Sequence, residues 1–308
     1  MAAPRSSDDR GAPQAVRQID PVAVDAALRR LARRAEPPWL HGEGARRMAA
    51  RLAVIRLQPA VLVDWWGRTG ASAEILAVAY PKARRLVVEP NEALRQASTT
   101  AARQPWWAAW RGAARRTEVL DGEPAAGTAQ LLWSNMALHA AADPPALLVR
   151  WQAALEAGGF AMFSCFGPDT VRELRALYRR LGWAPAGAEF VDMHDLGDML
   201  VHAGFADPVM DQETLTLTWA TPEALLAELR GLGGNVATER RPGLCTPRWR
   251  ERLLGELCTL ASADGRLALS FEIVYGHAFK AVPRSPGVAT TVSLDDMRAL
   301  VRSPRAKR

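Results

Sequence analysis

Short apolar runs alternating with helical patterns constrain the first half of this chain to very few folds. The runs are residues 60–64 (A-V-L-V-D), 86–89 (L-V-V-E), 118–120 (E-V-L), 129–133 (A-Q-L-L-W) and 160–164 (F-A-M-F-S). Between them helices are expected over 71–79, from Asn91, and along the face that carries Leu147, Leu148, Trp151 and Leu155. The pair Gly158-Gly159 is expected to stop that last helix. Strands joined by helical crossovers must run parallel, and right-handed crossovers leave few orders for them. The second half changes character. Residues 214–219 (T-L-T-L-T-W) alternate with period two, 267–280 form another β-rich run, and a helical stretch over 222–263 separates them. An α/β fold follows, with a doubly wound parallel sheet finished by antiparallel pairing.

With 308 residues, of which 49% are hydrophobic, the chain can bury one good core. Residues 1–20 and 283–308 are polar flanks containing Pro, Ser and Arg without apolar periodicity, so the boundaries expected are a tail, a domain over 21–282 and a basic tail. No apolar run approaches the ~20 residues of a membrane span, and no apolar segment follows the N-terminal charges as in a secretory signal. Cys165, Cys245 and Cys258 are odd in number and widely spaced, which suits a reducing cytoplasm better than a disulfide framework. The net charge of +6 invites a nucleic-acid reading. Yet Arg29, Arg30, Arg33, Arg34, Arg46, Arg47 and Arg51 are more simply the solvated faces of alanine-rich helices. A basic surface equally attracts an acidic protein by long-range steering.

In an open parallel sheet, ligands sit beyond the carboxyl ends of the strands, near the switch in strand order. Asp64, Glu89, Asp121 and the pair Ser134-Asn135 fall at those ends, and they are the candidate small-molecule site. After Asp64 the chain runs Trp65-Trp66-Gly67-Arg68-Thr69-Gly70, a turn with two glycines. Glycine there lets backbone approach a ligand without a Cβ in the way.

Several strings then point to one family. Residues 190–211 (F-V-D-M-H-D-L-G-D-M-L-V-H-A-G-F-A-D-P-V-M-D) and 224–235 (A-L-L-A-E-L-R-G-L-G-G-N) carry most of the likeness. Supporting strings are 56–59 (R-L-Q-P), 134–139 (S-N-M-A-L-H), 166–175 (F-G-P-D-T-V-R-E-L-R), 264–267 (D-G-R-L) and 272–279 (E-I-V-Y-G-H-A-F). Over roughly residues 40–280 the chain closely resembles the malonyl-acyl-carrier-protein O-methyltransferases of biotin synthesis. That resemblance implies a seven-stranded Rossmann-like methyltransferase sheet with an antiparallel last strand and a helical insertion before it. It also implies S-adenosyl-L-methionine as cofactor and an acyl carrier protein bearing a malonyl thioester as partner. The implied cofactor residues are Asp64, Gly67, Gly70, Glu89, Asp121, Ser134 and Asn135, with Glu89 accepting from the ribose hydroxyls and Asp121 near the adenine. The chain departs from the family loop D-x-G-x-G-x-G. Trp66 and Arg68 stand at glycine positions, Gly67 is displaced by one, and only Gly70 keeps register. After Leu138 it has His139-Ala140 where the family usually has Gln-Trp.

Methyl transfer to a free carboxylate asks little of a base, because such a group ordinarily titrates at ~4 and is already ionised at pH 7. No catalytic side chain is expected, only cations or donors that hold one oxygen. Arg172 and Arg175, three apart on one helix, are candidate clamps through their forked guanidinium groups. His194 in D-M-H-D is a third substrate candidate, while the acids beside it read as helix caps and His277 as structural. No metal spacing, nucleophile triad or phosphate loop stands out. The damaged loop leaves open a non-catalytic relative that binds a partner protein, and a methyltransferase with another acceptor, RNA included.

Overall fold

Four of the helices open the same way, with a capping side chain followed by proline: Asp20-Pro21, Asp143-Pro144, Thr221-Pro222 and Thr246-Pro247. Proline at the first helical position has its φ already set and no N–H to leave orphaned, while the Asp or Thr oxygen accepts from the exposed N–H groups of the first turn. A computed structural model describes residues 19–103, 116–243 and 246–282. The sequence motif thus sets α1 (Pro21–Ala32), α6 (Pro144–Ala154), α9 (Pro222–Gly231) and α10 (Pro247–Cys258). Asp192 caps α8 (Met193–His202) through the N–H of His194 at 2.8 Å.

The strands are β1 (Val61–Trp65), β2 (Arg84–Val88), β3 (Thr117–Val119), β4 (Ala129–Asn135), β5 (Leu155–Phe166), β6 (Phe205–Trp219) and β7 (Leu267–Lys280). They form one seven-stranded sheet in the order β3-β2-β1-β4-β5-β7-β6. β7 is antiparallel to both neighbours, and the other neighbouring pairs are parallel. The order reverses between β1 and β4, so the ends of those strands face the crevice where a ligand is expected. Successive β4 residues go to opposite faces. Leu131 and Trp133 join the core beneath α2 (Trp39–Ala50) and α7 (Arg172–Arg180), and Leu132 joins the core beneath α6 and α8. β5 divides likewise into Phe160 and Met162 against Ala161 and Phe163. Phe160 and Phe163 are fully buried, each contributing about 1.5–3 kcal/mol of transfer free energy.

Three boundaries differ from the sequence expectation. Helix α6 ends at Ala154, and Gly158-Gly159 lie inside β5, where the register against β4 shifts between Ala129 and Leu131. Gly158 has φ +82°, and a Cβ on Gly159 would stand 3.0 Å from the Gln130 carbonyl oxygen, so the pair makes a bulge rather than a helix stop. Ile19 and Asp20 belong to the fold and not to a tail, because Ile19 is buried and bridges Ala237. The alternating strand begins at Phe205, before residue 214, and the insertion between β6 and β7 is a pair of helices, α9 and α10. The basic tail of 283–308 lies outside the described residues. Gly276 is demanded by packing, since a Cβ there would fall 2.5 Å from the Phe163 ring and 2.9 Å from the Met210 sulfur. His277 beside it is partly buried in β7 and stacks edge-on against Phe279 at 6.2 Å.

Candidate active site

The loop after β1 keeps a glycine-like path without the glycine. Trp66 adopts φ +59° and ψ +45°, the left-handed region that costs a side chain about 1–2 kcal/mol. Its N–H donates to the Val88 carbonyl at 2.7 Å, which ties the turn to the end of β2. A single helical turn follows, α3 (Gly67–Gly70), in which the Gly70 N–H and the Thr69 hydroxyl both donate to the Trp66 carbonyl at 3.1 Å. Ala71 ends it, again left-handed at φ +56°.

Beneath this turn lies a buried ion pair. The Arg85 guanidinium donates to Asp64 Oδ2 through Nε at 2.8 Å and also through Nη2, while Asp64 Oδ1 is buried without a partner. Asp64 is therefore held by its own chain. A Cβ on Gly67 would fall 2.7 Å from Asp64 Oδ2, so this glycine is required by the ion pair passing below it. Gly70 packs closely on β4, whose Asn135 carbonyl oxygen would stand 3.3 Å from a Cβ there.

Glu89 follows the end of β2. Its Oε1 accepts from the Arg68 N–H at 2.8 Å and the Ser98 hydroxyl at 2.6 Å, whereas Oε2 is buried and has no partner. Burial pushes its pKa up to about 7, against the pull of the Ser98 and Arg68 hydrogen bonds, and the nearby Asp64 charge adds to the rise. The Arg68 side chain turns the other way and donates to the Arg34 and Ala35 carbonyls at 2.9 and 2.8 Å.

Ser134 and Asn135 end β4 and are fully buried. Asn135 Nδ2 donates to the carbonyls of His41 at 2.8 Å and Gly70 at 2.5 Å, and its Oδ1 accepts from the Ser164 hydroxyl at 2.6 Å. One amide thus clasps α2, the loop and β5. His41, from α2, is 2% exposed, and its Nδ1 lies 2.7 Å from the Thr69 carbonyl oxygen. A carbonyl only accepts, so Nδ1 carries the proton, and Nε2, which has no partner, is a bare acceptor. Burial lowers the His41 pKa to about 4, opposed only by the Thr69 bond, so the ring is neutral at physiological pH.

A cavity of about 530 Å³ opens beside this loop. Its inner end is walled by His41, Trp66, Thr69, Met136 and His139. Its flanks are apolar, with Phe166, Leu174, Phe190 and Phe271 among them, and Arg30, Arg175 and Arg230 supply its guanidinium groups. Arg175 Nε donates to the Thr170 carbonyl at 3.0 Å and Nη2 to the Ala188 carbonyl at 2.6 Å, which fixes the guanidinium plane at the wall. Burial lowers its pKa, but a guanidinium stays charged in proteins.

Of the expected site residues only Arg175 lines this cavity. Asp64, Gly67, Gly70, Ser134 and Asn135 are buried in and beneath the loop, with Glu89 beside them after β2. The other three stand away from both. Asp121 is exposed and reaches only Arg95 at 3.6 Å, because the chain after β3 turns outward. Arg172 is exposed beside Asp169 and Glu173 and lines an adjoining groove that shares Arg175 and Phe190 with the cavity. His194 is exposed and serves the α8 cap, its Nδ1 lying 2.8 Å from Asp192 Oδ1. Conversely, nothing in the sequence singles out His41, whose place depends on how α2 folds back over the β1 loop.

Known proteins resemble this chain. A Malonyl-[acyl-carrier protein] O-methyltransferase of Gallionella capsiferriformans is 39% identical over 250 residues, covering 80% of this chain and 85% of that one. The chain belongs to the malonyl-[acyl-carrier protein] O-methyltransferase family. A second member, from Laribacter hongkongensis, is 35% identical over 268 residues, covering 85% of this chain and 88% of its own. A third, from Coxiella burnetii, is 31% identical and covers 90% of this chain and 96% of its own. No family model matches the chain. Among solved structures, a protein from Bacillus halodurans described as a methyltransferase superposes with a TM-score of 0.52 at 12% identity, covering 78% of this chain and all of that one. The YcgJ protein of Bacillus subtilis superposes with a TM-score of 0.50 at 10% identity over 78% of this chain and 99% of its own. These two share the fold. The chain is an S-adenosylmethionine-dependent methyltransferase.

Its residues fit that cofactor. The unpartnered Glu89 Oε2 is a buried acceptor at the end of β2, and the loop holds the left-handed turn that lets backbone approach a ligand. The cavity reaches the same loop at Trp66 and Thr69. Trp66 is the misfit, since its indole packs against the core cluster that contains Val88 and Leu138. Among the described residues, no helix is long and apolar enough to cross a membrane.

Proposed function

We propose that this protein esterifies the free carboxylate of a malonyl group carried on acyl carrier protein, and so masks its charge for the chain elongation that leads to biotin. The observation that carries this reading is the cavity itself, apolar along its flanks, open to the β1 loop at one end and furnished with arginines. Bound S-adenosylmethionine supplies an electrophilic methyl group. The remaining task is to hold and orient the acceptor, where proximity and exclusion of water lower the barrier.

Glu89 Oε2 and the backbone of the turn at Trp66 to Gly70 would grip the cofactor's ribose and methionine parts. Asn135 would fix the loop indirectly, by tying α2 and β5 to it, with Ser134 buried beside it. Arg175 is the clamp we assign to the malonyl carboxylate, because its guanidinium is already fixed at the cavity wall by the Thr170 and Ala188 carbonyls. A pre-oriented fork loses little freedom on binding a carboxylate. Phe166, Leu174 and Phe190 exclude water around the thioester, and Arg30 and Arg230 meet the carrier's phosphorylated arm. A carboxylate already ionised at neutral pH needs no general base, consistent with His139 as a wall residue stacked on Phe166 at 4.5 Å.

The test is incubation with S-adenosylmethionine and malonyl-acyl carrier protein, followed by mass spectrometry of the carrier. The methyl ester is expected on malonyl-carrier and absent from the acetyl-carrier control. Absence of the methyl ester from malonyl-carrier, with S-adenosylhomocysteine still bound in titration calorimetry, would select another acceptor.

A further inference from the structure

Four protein groups around the β1 loop compete for backbone carbonyls that would otherwise face a cationic ligand. His41 Nδ1 takes Thr69, Asn135 Nδ2 takes Gly70 and His41, the Ser72 hydroxyl takes Gly70 at 3.0 Å, and the Thr69 hydroxyl takes Trp66. Of the buried acceptors left without a partner here, Asp64 Oδ1, Glu89 Oε2, Ser134 Oγ and His41 Nε2, only His41 Nε2 belongs to a residue of the cavity wall. A buried acceptor left unmade destabilises the fold, so its retention in a cavity wall points to a donor that arrives with a ligand.

The tautomer narrows the ligand's chemistry. With the proton fixed on Nδ1 by the Thr69 carbonyl, Nε2 offers a lone pair and repels carboxylate or phosphate oxygens. His41 is also fastened to the β1 loop and to Asn135, not to α7 or α9, so it belongs to the methyl donor's end of the cavity and not the acyl end. We propose that His41 is a positioning residue whose Nε2 accepts a hydrogen bond from the α-ammonium of the methyl donor's methionine half. The inference rests on the cofactor reading above and assigns one residue to one group of it. Engagement needs a small side-chain displacement at the wall, since Nε2 is shielded when no ligand is present. A neutral imidazole suits this task, because an imidazolium would face both the ammonium and the sulfonium with like charge.

The test uses titration calorimetry with S-adenosylhomocysteine and its analogue lacking the amino group, on the full chain. The unsubstituted protein is expected to prefer the amino-bearing ligand by at least about tenfold, as hydrogen bonds to charged groups are worth roughly 1.5–3 kcal/mol. In His41→Phe, which keeps ring volume without an acceptor, the preference is expected to shrink to about twofold, and His41→Gln, with an amide oxygen, should restore part of it. An unchanged preference in folded His41→Phe overturns the proposal while leaving the cofactor reading intact. No binding of either ligand to the unsubstituted protein overturns both. Imidazole ¹⁵N spectra of the unsubstituted protein decide the matter without a variant. Nε2 should stay unprotonated and shift only with the amino-bearing ligand, whereas double protonation of the ring on binding would place an anion there and sink the assignment.

Discussion

At the β1 loop, polar groups are closed on one another; across the cavity, apolar walls enclose open volume and charge stands at the margin. Asp64 is consumed by Arg85, Glu89 Oε1 by Arg68 and Ser98, and the loop carbonyls by His41, Asn135 and Ser72. Around the acyl end, Phe166, Leu174 and Phe190 offer surface but little internal satisfaction. The difference teaches that the two ends diverge under different constraints. A donor loop that loses its glycines saturates most of its buried polar groups from within, because each orphan destabilises the fold. Here Asp64 Oδ1, Glu89 Oε2, Ser134 Oγ and His41 Nε2 are the acceptors left open among the described side chains around it. An acceptor cavity is free of that constraint and can keep its shape while its polar residues change.

The strongest way to break this comparison is to remove the loop's ion pair. Arg85→Met would leave the Asp64 carboxylate buried and uncompensated, and unfolding by urea should show a loss of about 3–5 kcal/mol. The double variant Arg85→Met with Asp64→Leu should recover most of it, since apolar replacement of both partners removes the buried charge. A loss in the single variant under about 1 kcal/mol would mean the pair is effectively solvated, and the loop would no longer count as self-saturated.

Glu89 gives the next largest effect, and its sign is informative. The folded pKa stands near 7 against an ordinary 4.5, so the native state holds its proton longer than the unfolded chain. The stability it contributes is fully present below about pH 4.5 and is lost as pH rises through about 7, by roughly 3 kcal/mol in total. Glu89→Gln should flatten that slope in denaturation curves taken across the window. Ligand hydroxyl groups favour the ionised form, so cofactor binding should release a proton near neutrality, measurable in buffers of different ionisation heat. A pH-independent difference between the two proteins would show that Oε2 is not shielded as described.

Much of the sheet was legible because its signals are local: short apolar runs, the period-two run at 214–219, and polar residues at strand ends. Gly158-Gly159 misled because glycine marks a helix stop and a bulge equally well, and only the pairing of β5 with β4 separates them. Arg172 and Arg175 could not be told apart because residues three apart on a helix are near neighbours. Which one faces the cavity depends on the packing of α7 against β7. The exposure of Asp121 and the burial of His41 rest on tertiary contact alone. The strings that identified the family lie mainly around α8, β6 and α9, whereas His41, Trp66 and Glu89 lie where the likeness is sparser.

Phe190→Ala sharpens the other side of the comparison. The ring lies 5.7 Å from Phe166 and 5.8 Å from His139, at the cavity wall. Truncation should lower kcat/KM for malonyl-carrier about tenfold while leaving S-adenosylhomocysteine affinity within about twofold. Equal losses on both ligands would merge the two ends into one site and dissolve the distinction.

Trp66→Gly is the smallest effect and the one that tests the loop most directly. Glycine relieves the left-handed strain at φ +59°, worth about 1–2 kcal/mol, but gives up the indole's packing and adds freedom to the unfolded chain. These terms oppose one another, so the unfolding midpoint should move by no more than about 1 kcal/mol equivalent. Ligand binding escapes that cancellation. If the indole closes the pocket against the core cluster with Val88 and Leu138, removing it should raise S-adenosylhomocysteine affinity about fivefold, or roughly 1 kcal/mol. A fall in affinity of the same size would mean that Trp66 grips the ligand, and that a tryptophan at a glycine position has become part of the wall it once would have blocked.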